Sequence, residues 1–439
     1  MSPLDPPESS TVTVEAGGAA LDPAVTPDRP GYAEPPRASA WFIAVYTAIT
    51  FGANLTMLAP MLFGLAYKIQ LVDPNGKEAS LGLVVGIGAL VNIVVTPLVG
   101  VLSDRTRTRF GRRRPWVASG IVVCAAAGAA IALAPSILMI AVAWVVYIVG
   151  LACILSALAP VLADQVPQSQ RGKVGALSGV STQLAGVVAS VAGSLLTGNV
   201  LLMFLLPPIV LLVAFVLYLF AIPDPPAADS VVHEPISQVF KQLIFNPRKH
   251  RDFTLVWLGR FLLQVGMTFF STYQLYFLLD RIGLTPETAG RQLALVGGIG
   301  ILVTTGFAIV GGILSDRMQR RKVFIYLAAA LAATGLTIMA FAPDVLMYAV
   351  ATLFILAAAG LFGSVDLALA SDLVPDRAES GRWMSILNVA GYIPSAVAPV
   401  VAPLILLTGG GQNYTALYLT AALVATGAGL TAWRIRGAR

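Results

Sequence analysis

Twelve apolar stretches, each long enough to cross a bilayer, follow one another along this chain and constrain its fold more than any other feature. A membrane-spanning helix needs about 20 such residues. Only 11% of the residues are charged, against about 25% in a soluble domain, so most of the protein surface must face lipid. The predicted spans lie near residues 41–66, 81–103, 116–134, 137–163, 174–197, 200–221, 252–279, 291–314, 323–342, 345–371, 383–408 and 414–433.

The distribution of basic residues predicts the orientation of these helices. With a cytoplasmic N-terminus, 23 of the 28 Lys and Arg residues lie in tails and loops on the cytoplasmic side, and four lie in outer loops. Membrane proteins keep such an excess on the cytoplasmic side. We therefore expect a multi-pass protein of the plasma membrane with both termini in the cytoplasm. The same placement explains the basic composition without a nucleic-acid partner.

Two short motifs occur twice, each time at the end of an equivalent span. The sequence from Gly100 to Arg105 returns as Gly312 to Arg317, and Asp164–Pro167 returns as Asp372–Pro375. Repetition in the same order predicts a duplicated six-helix unit, an arrangement in which the solute site lies between the two units near mid-membrane. We expect an all-α membrane protein with twelve helices in two pseudo-symmetric halves.

This organisation divides the chain into five parts. The N-terminal tail is rich in proline and has no apolar core, so we expect it to be disordered. The linker between the halves has the composition for a short helix at 235–245 that lies on the inner membrane surface. The parts are a cytoplasmic tail (1–40), an N-terminal half (41–221), a cytoplasmic linker (222–251), a C-terminal half (252–433) and a second cytoplasmic tail (434–439).

The first copy of the repeated motif resembles a known signature. Gly100 to Arg105, followed by Gly111 to Pro115, is similar to the signature loop of the major facilitator superfamily. The longer sequence SDRTRTRFGRRRPW at 103–116 resembles that of the glycoside–pentoside–hexuronide cation symporters and the sucrose–proton symporters. The resemblance implies the major facilitator fold, with the solute site between two halves that move against each other.

The resemblance also implies a conformational latch. In the superfamily the acid of the loop motif, here Asp104, meets the start of helix 11 while the cytoplasmic side is closed. In the alternative interpretation, the arginines only hold the loop in the cytoplasm. Gln319 stands where the second copy would have its glycine, which weakens the case for Asp316. The candidate latch residues are Asp104, Arg105, Gly111, Arg112, Asp164, Arg171, Asp316, Arg317, Asp372 and Arg382.

Asp366 and Arg260 are the acidic and the basic residue that fall well inside predicted spans. A charge there costs a few kcal/mol unless it has a partner or a water-filled cavity. At 1.5 Å per residue both lie at a similar depth, on helices 10 and 7. We expect them to pair. The pair either fixes the two helices, or Asp366 takes up a proton during transport when Arg260 moves away from it.

Neutral polar side chains in the middle of the spans are the candidates for solute contacts. Amides and tyrosines offer uncharged donors and acceptors that match the hydroxyl groups of a sugar. Each of them also suits a hydrogen bond between helices. The candidates are Asn54, Asn92, Tyr147, Gln183, Gln264, Tyr273, Gln274, Asn388 and Tyr392.

We therefore expect a secondary active transporter for a small neutral polar solute, a sugar or glycoside, coupled to protons. The alternative is a proton-driven exporter of hydrophobic or cationic compounds in the same fold, and a non-transporting sensor also stays open. Sugar symporters of this kind carry acids on helix 2 or 4, and spans 2 and 4 have none, which leaves coupling to Asp366. The sequence shows no catalytic constellation, metal-ligand cluster or nucleotide loop. We expect no enzyme activity, cofactor, metal or ATP-binding subunit; the partners are the solute, a proton and membrane lipids.

Overall fold

The computed structural model describes residues 36–222, 224, 245–375, 380–409 and 411–435. In these residues twelve helices are long and apolar enough to cross a membrane. Most of the predicted tails and of the predicted interfacial helix lies outside the described residues. The helices are α1 (Ala40–Val72), α2 (Lys77–Arg105), α3 (Arg114–Leu133), α4 (Ile137–Gln165), α5 (Gln168–Leu195), α6 (Val200–Ala221), α7 (Arg251–Arg281), α8 (Pro286–Met318), α9 (Arg321–Phe341), α10 (Val345–Asp372), α11 (Ser380–Leu406) and α12 (Tyr414–Arg434).

Polar caps explain where many of these apolar helices begin. A side-chain oxygen before the first helical residue accepts a hydrogen bond from a free backbone N–H of the first turn. Such a cap separates helices that are joined by very short turns, as between α3 and α4 and between α9 and α10. The capping residues are Ser39, Ser136, Asn199, Thr285, Asp344 and Asn413.

Helix α1 is longer than the sequence predicts. Its predicted end at residue 66 placed Lys68 in a loop, whereas the helix continues to Val72. Lys68 is buried, and its Nζ donates to the carbonyl oxygen of Ala132 at 2.8 Å. That oxygen lies in the last turn of α3, where unpaired carbonyls favour a cation. A lysine within an apolar helix is therefore accommodated by the end of a neighbouring helix.

Two helices contain a π-helical turn. In α1 it spans Pro60–Gly64, and in α7 it spans Phe277–Arg281. The two turns lie near each other, since the hydroxyl of Tyr276 donates to the carbonyl oxygen of Ala66 at 2.8 Å. This bond connects the first half of the chain to the second.

The helices pack in two equivalent sets of six. In the first half α1 packs on α5 and α6, α2 on α4, and α3 on α4 and α6. The second half repeats the pattern: α7 packs on α11 and α12, α8 on α10, and α9 on α10 and α12. Between the halves α2 packs on α11, and α5 packs on α8. The fold is the all-α, pseudo-symmetric twelve-helix architecture that the internal repeat predicts.

Among the described residues, the halves are in close contact on one side of the bundle only. We call the side that holds the start of α1 and the end of α12 the terminal side, and the opposite side the distal side. Near the distal end of α2, a Cβ at Gly82 would collide with the carbonyl oxygen of Pro399, and one at Gly86 with Val400. At the terminal end of α2, a Cβ added to Gly100 would meet no atom of another helix within 4 Å. The bundle is therefore closed on the distal side and open on the terminal side.

Candidate functional site

Arg260 and Asp366 form an ion pair inside the second half. Nη1 of Arg260, on α7, lies 2.7 Å from Oδ2 of Asp366, on α10. The Asp366 side chain is 5% exposed and that of Arg260 is 19% exposed. The guanidinium also lies against α11, because a Cβ at Gly391 would be 3.7 Å from Nε of Arg260. Three helices therefore meet at one buried, charge-balanced pair.

A stripe of polar side chains follows this pair along α7. Arg260, Gln264, Ser271 and Gln274 are spaced so that they share one face of a helix. The pairing of Arg260 with α10 shows that this face points to the interior of the bundle. Gln264 is half-buried and Gln274 is 8% exposed. Neither side-chain amide has a hydrogen-bond partner among the described residues.

Helix α11 contributes Asn388 and Tyr392. Nearer the distal end, Ala396 and Val400 of this helix meet α2. Tyr392 precedes Ala396 by one turn on the same face, at the depth where the halves separate, and is 55% exposed. Asn388 is exposed between this face and the one that meets Arg260 at Gly391. Both side chains therefore face the opening between the halves.

The first half contributes three half-buried amides. The Asn54 Nδ2 donates to the carbonyl oxygen of Thr50 at 2.8 Å, and the Asn92 Oδ1 accepts from the Thr96 hydroxyl at 2.8 Å. Gln183 precedes Val187 by one turn, and Val187 meets Gly297 of α8. Gln183 has no hydrogen bond to a described residue. It is thus the amide of this half that is both free and turned toward the other half.

Tyr147 and Tyr273 are packed away from the opening. Both are 0% exposed. The Tyr147 hydroxyl donates to the carbonyl oxygen of Thr56 at 2.8 Å, which joins α4 to α1. The Tyr273 hydroxyl donates to the carbonyl oxygen of Pro399 at 2.9 Å, which joins α7 to α11. In this conformation these two candidates hold helices together and are not accessible to a solute.

The loop that carries the first motif is fixed within its own half. Asp164, at the end of α4, pairs with Arg112 at 2.9 Å and also with Arg113. Oδ2 of Asp224 accepts from the backbone N–H groups of Arg113 and Arg114 at 2.6 and 2.9 Å, where α3 begins. The motif predicted Arg112 and Asp164 as latch residues. It gave no role to Arg113, and no sequence pattern pointed to Asp224.

Asp104 is exposed and has no hydrogen bond or ion pair with a described residue. This is the arrangement that a latch would have while its side of the protein is open, and the predicted contact with α11 stays a prediction. Gly111 follows with a φ of +105°, a left-handed conformation that suits glycine. Gln319, in the second copy, also has a positive φ, of 51°, without being glycine.

The other latch candidates make local contacts. Arg171 donates to the carbonyl oxygens of Ala163 and Val166 at the end of α4. Asp316 lies 3.9 Å from Arg321, and Arg382 covers the ring of Trp383 at 5.5 Å. Arg105 and Arg317 lie in the last turns of α2 and α8. The side chain of Asp372 lies outside the described part of the structure.

A second buried ion pair, on the distal side, was not predicted. Nζ of Lys77, at the start of α2, lies 2.5 Å from Oδ1 of Asp280, at the end of α7. Their side chains are 6% and 13% exposed. The Tyr414 hydroxyl donates to the other Asp280 oxygen at 2.6 Å, and Lys77 lies 5.0 Å from the ring centre of Tyr276. This pair joins the two halves where they are closed.

The described residues include no group of His, Cys, Asp and Glu side chains that would hold a metal ion. The contacts described above place neutral amides and a tyrosine along the terminal-side opening between the halves. One charge-balanced ion pair lies at its edge. Such an arrangement can bind a polar solute through hydrogen bonds, and it has one buried carboxylate that can exchange a proton.

Solved structures of transporters share this fold. The chain superposes on a nucleoside transporter, NupG, with a TM-score of 0.73 and 11% identity, over 90% of this chain and 100% of that one. A D-xylose-proton symporter gives a TM-score of 0.70 and 18% identity, over 90% and 98% of the two chains. At these identities the likeness concerns the fold alone.

Sequence relatives match only short segments. An uncharacterized symporter of Synechocystis is 38% identical over 78 residues, and a general alpha-glucoside permease of Schizosaccharomyces pombe is 34% identical over 84 residues. Solute carrier family 45 member 3 of Mus musculus is 37% identical over 70 residues. These segments span 16–19% of this chain and 12–14% of the relatives.

The profile of the Major Facilitator Superfamily matches the chain over residues 40–399 and again over 289–438. Together these matches extend from the first residue of α1 to beyond the end of α12. The second match begins within α8, in the repeated half. The chain therefore belongs to the major facilitator superfamily and is a multi-pass membrane transporter rather than an enzyme.

Proposed function

We propose that this transporter moves a small neutral polar solute, of the sugar or glycoside class, by alternating access coupled to a proton. The observation that carries the proposal is the α7 stripe: Gln264 lies one turn from Arg260 of the Arg260–Asp366 pair, Gln274 lies farther along the helix, and neither amide has a hydrogen-bond partner among the described residues. A solute rich in hydroxyl groups would satisfy these donors and acceptors, whereas a hydrophobic compound would leave them buried and unpaired.

The solute site would be shared between the halves. Gln264, Gln274, Asn388 and Tyr392 would contact the solute from α7 and α11. Gln183 is the best placed candidate of the first half, and Asn54 and Asn92 would contribute after releasing their present bonds to neighbouring residues. Tyr147 and Tyr273 would serve as interhelical connections.

Asp366 would be the proton site. Arg260 is its one hydrogen-bond partner among the described residues. When Arg260 stays near, the carboxylate is neutralised; when Arg260 turns toward a solute, an unpaired buried carboxylate takes up a proton. Solute binding and proton binding would then be linked through one side chain. In the competing interpretation the pair only fixes α7 to α10.

The terminal side would be the cytoplasmic side of the plasma membrane. Both predicted tails, the linker and 23 of the 28 basic residues belong to it. The structure would then be inward-open, with the halves 41–221 and 252–433 rotating about the solute. On closure Asp104 would move from its exposed position toward the start of α11, and the Arg112–Asp164 pair would keep the loop in place for that contact.

Four similarities support the proposal of sugar symport. One relative is named as a general alpha-glucoside permease and another as a symporter, and one solved structure of the same fold is a D-xylose-proton symporter. The 103–116 loop resembles those of glycoside and sucrose symporters.

The experiment is solute-driven proton movement in proteoliposomes that contain a pH-sensitive dye. A panel of mono- and disaccharides is added outside, and symport acidifies the lumen. Asp366→Asn is expected to abolish the acidification. Asp344→Asn is the matched control, because it makes the same change on the same helix at an exposed position, and asparagine also caps helices well.

Counterflow of labelled sugar separates the two roles of the pair. If Asp366 carries the coupled proton, Asp366→Asn keeps counterflow, which needs no net proton movement. If the pair is only structural, the variant loses counterflow and thermal stability together. Absence of any proton signal with every sugar, in folded wild-type protein, would reject sugar symport and favour the exporter of hydrophobic or cationic compounds.

A further inference from the structure

A second cavity, separate from the opening between the halves, lies at the terminal side of the second half. It has a volume of about 580 Å³ and lies between the segment that precedes α7 and the start of α11. No candidate solute residue lines it. Its lining side chains include Phe245, Pro247, Lys249, His250, Arg382 and Trp383.

The charges around this cavity favour an anion. Lys249 and Arg382, which line it, each carry a positive charge. Two long helices begin beside it, α7 at Arg251 and α11 at Ser380, and their N-termini add partial positive charge. Asp252 lies in the first turn of α7 but does not line the cavity.

An unpaired donor in the cavity wall provides an independent indication of a ligand. Trp383 is 4% exposed, and its indole Nε1 has no hydrogen-bond partner in the described part of the chain. The ring is held by edge contacts with Phe245, His250 and Phe253, with centroid distances of 6.0, 4.8 and 5.0 Å. A buried N–H without an acceptor destabilises the folded protein unless a ligand accepts from it.

We propose that this cavity binds the phosphate group of an anionic phospholipid from the leaflet on the terminal side. Lys249 and Arg382 would neutralise the phosphate, and the Trp383 N–H would donate to one of its oxygens. Basic pockets between the ends of transmembrane helices suit such head groups. The aromatic part of the wall, Phe245 and Trp383, suits the first methylene groups of the acyl chains.

Binding there would connect the ends of two helices that carry the solute site. The Trp257 Nε1 on α7 already donates to the carbonyl oxygen of Ile386 on α11 at 3.0 Å, on the membrane side of the cavity. A head group held by Lys249 before α7 and by Arg382 in α11 would add a second connection at the surface. The lipid would thus keep α7 and α11 together while the halves move.

Native mass spectrometry of the full-length protein with phosphatidylglycerol or phosphatidylcholine tests the proposal. The wild type is expected to retain phosphatidylglycerol in preference to phosphatidylcholine. Lys249→Gln and Arg382→Gln are each expected to weaken phosphatidylglycerol binding about fivefold, the effect of roughly 1 kcal/mol per basic residue near a membrane surface. Arg248→Gln is the matched control, because Arg248 is an exposed neighbour outside the cavity lining.

Two further measurements test whether the cavity binds the lipid phosphate specifically. Trp383→Phe keeps the ring and removes the N–H, and it is expected to lower phosphatidylglycerol binding without a change in oligomeric state on size-exclusion chromatography. Equal losses in Arg248→Gln and Lys249→Gln would show non-specific surface attraction and overturn the proposal. Stabilisation by inorganic phosphate that depends on Lys249, with none by phosphatidylglycerol, would assign the cavity to a soluble phosphate and reject the lipid.

Discussion

The Lys77–Asp280 pair predicts how the distal side is held closed. Lys77→Met would leave Asp280 with the Tyr414 hydroxyl as its remaining described partner. Removing one member of a buried ion pair costs about 3–5 kcal/mol, chiefly because the other charge stays buried and unpaired. Asp280 is 13% exposed and keeps one hydrogen bond, so we take the lower figure, about 3 kcal/mol.

This cost falls on one conformation only. When the distal side opens, Asp280 reaches water and no longer needs Lys77. The variant should therefore shift the balance toward the distal-open state by about 100-fold, since 1.4 kcal/mol corresponds to a factor of ten. The double variant Lys77→Met/Asp280→Leu should shift it much less, because the unpaired Asp280 carboxylate is no longer present.

Spin labels at Pro135→Cys and Pro343→Cys report the opening. These exposed turns occupy equivalent distal positions in the two halves, and the two native cysteines are buried. Double electron–electron resonance should show a longer distance component in Lys77→Met. An unchanged distance distribution in the folded single variant would refute the reasoning, and an equal shift in the double variant would show that unpaired charge is not the cause.

Three further predictions follow from the geometry. Gly86→Leu should open the distal side in the same spin-label assay, because its side chain would collide with Val400. Asp224→Ala should lower the free energy of unfolding by about 1–2 kcal/mol, measured by thermal unfolding in detergent, since α3 loses its cap. Gln264→Ala should weaken solute binding about three- to tenfold with an unchanged melting temperature, because its amide has no described protein partner; unchanged affinity in a binding titration would remove it from the site.

The number and order of the helices follow from the sequence because an apolar stretch of this length has few alternatives in a bilayer. The exact ends were less predictable. Lys68 looked like a loop residue, and nothing in the sequence shows that its ammonium group would reach the carbonyl oxygen of Ala132 on another helix. A hydrogen bond between residues 64 positions apart is a product of packing and leaves no local pattern.

The candidate site also contains contacts that the sequence predicts and contacts that it does not. The positions of Arg260 and Asp366 along their helices were enough to predict that they pair, because a charged residue within a span has few possible partners. Lys77 and Asp280 each stand at a helix end, where solvent is an equally good partner, so their contact depends on which side of the transporter is closed. Asp224 accepts hydrogen bonds from backbone N–H groups, and because nearly every residue has such a group, no sequence pattern predicts the contact.

The π-helical turn in α1 has a consequence for the length of the chain. A π-turn accommodates one residue more than an α-helical turn. Beyond Pro60–Gly64, three groups reach partners in different directions: the Tyr67 hydroxyl bonds the carbonyl oxygen of Thr197, Lys68 bonds α3, and Ala66 accepts from α7. Deleting one residue of the turn would rotate this whole helix end by about 100°. The number of residues in this segment is thus more restricted than their identity, and a family alignment should show substitutions there but no gap.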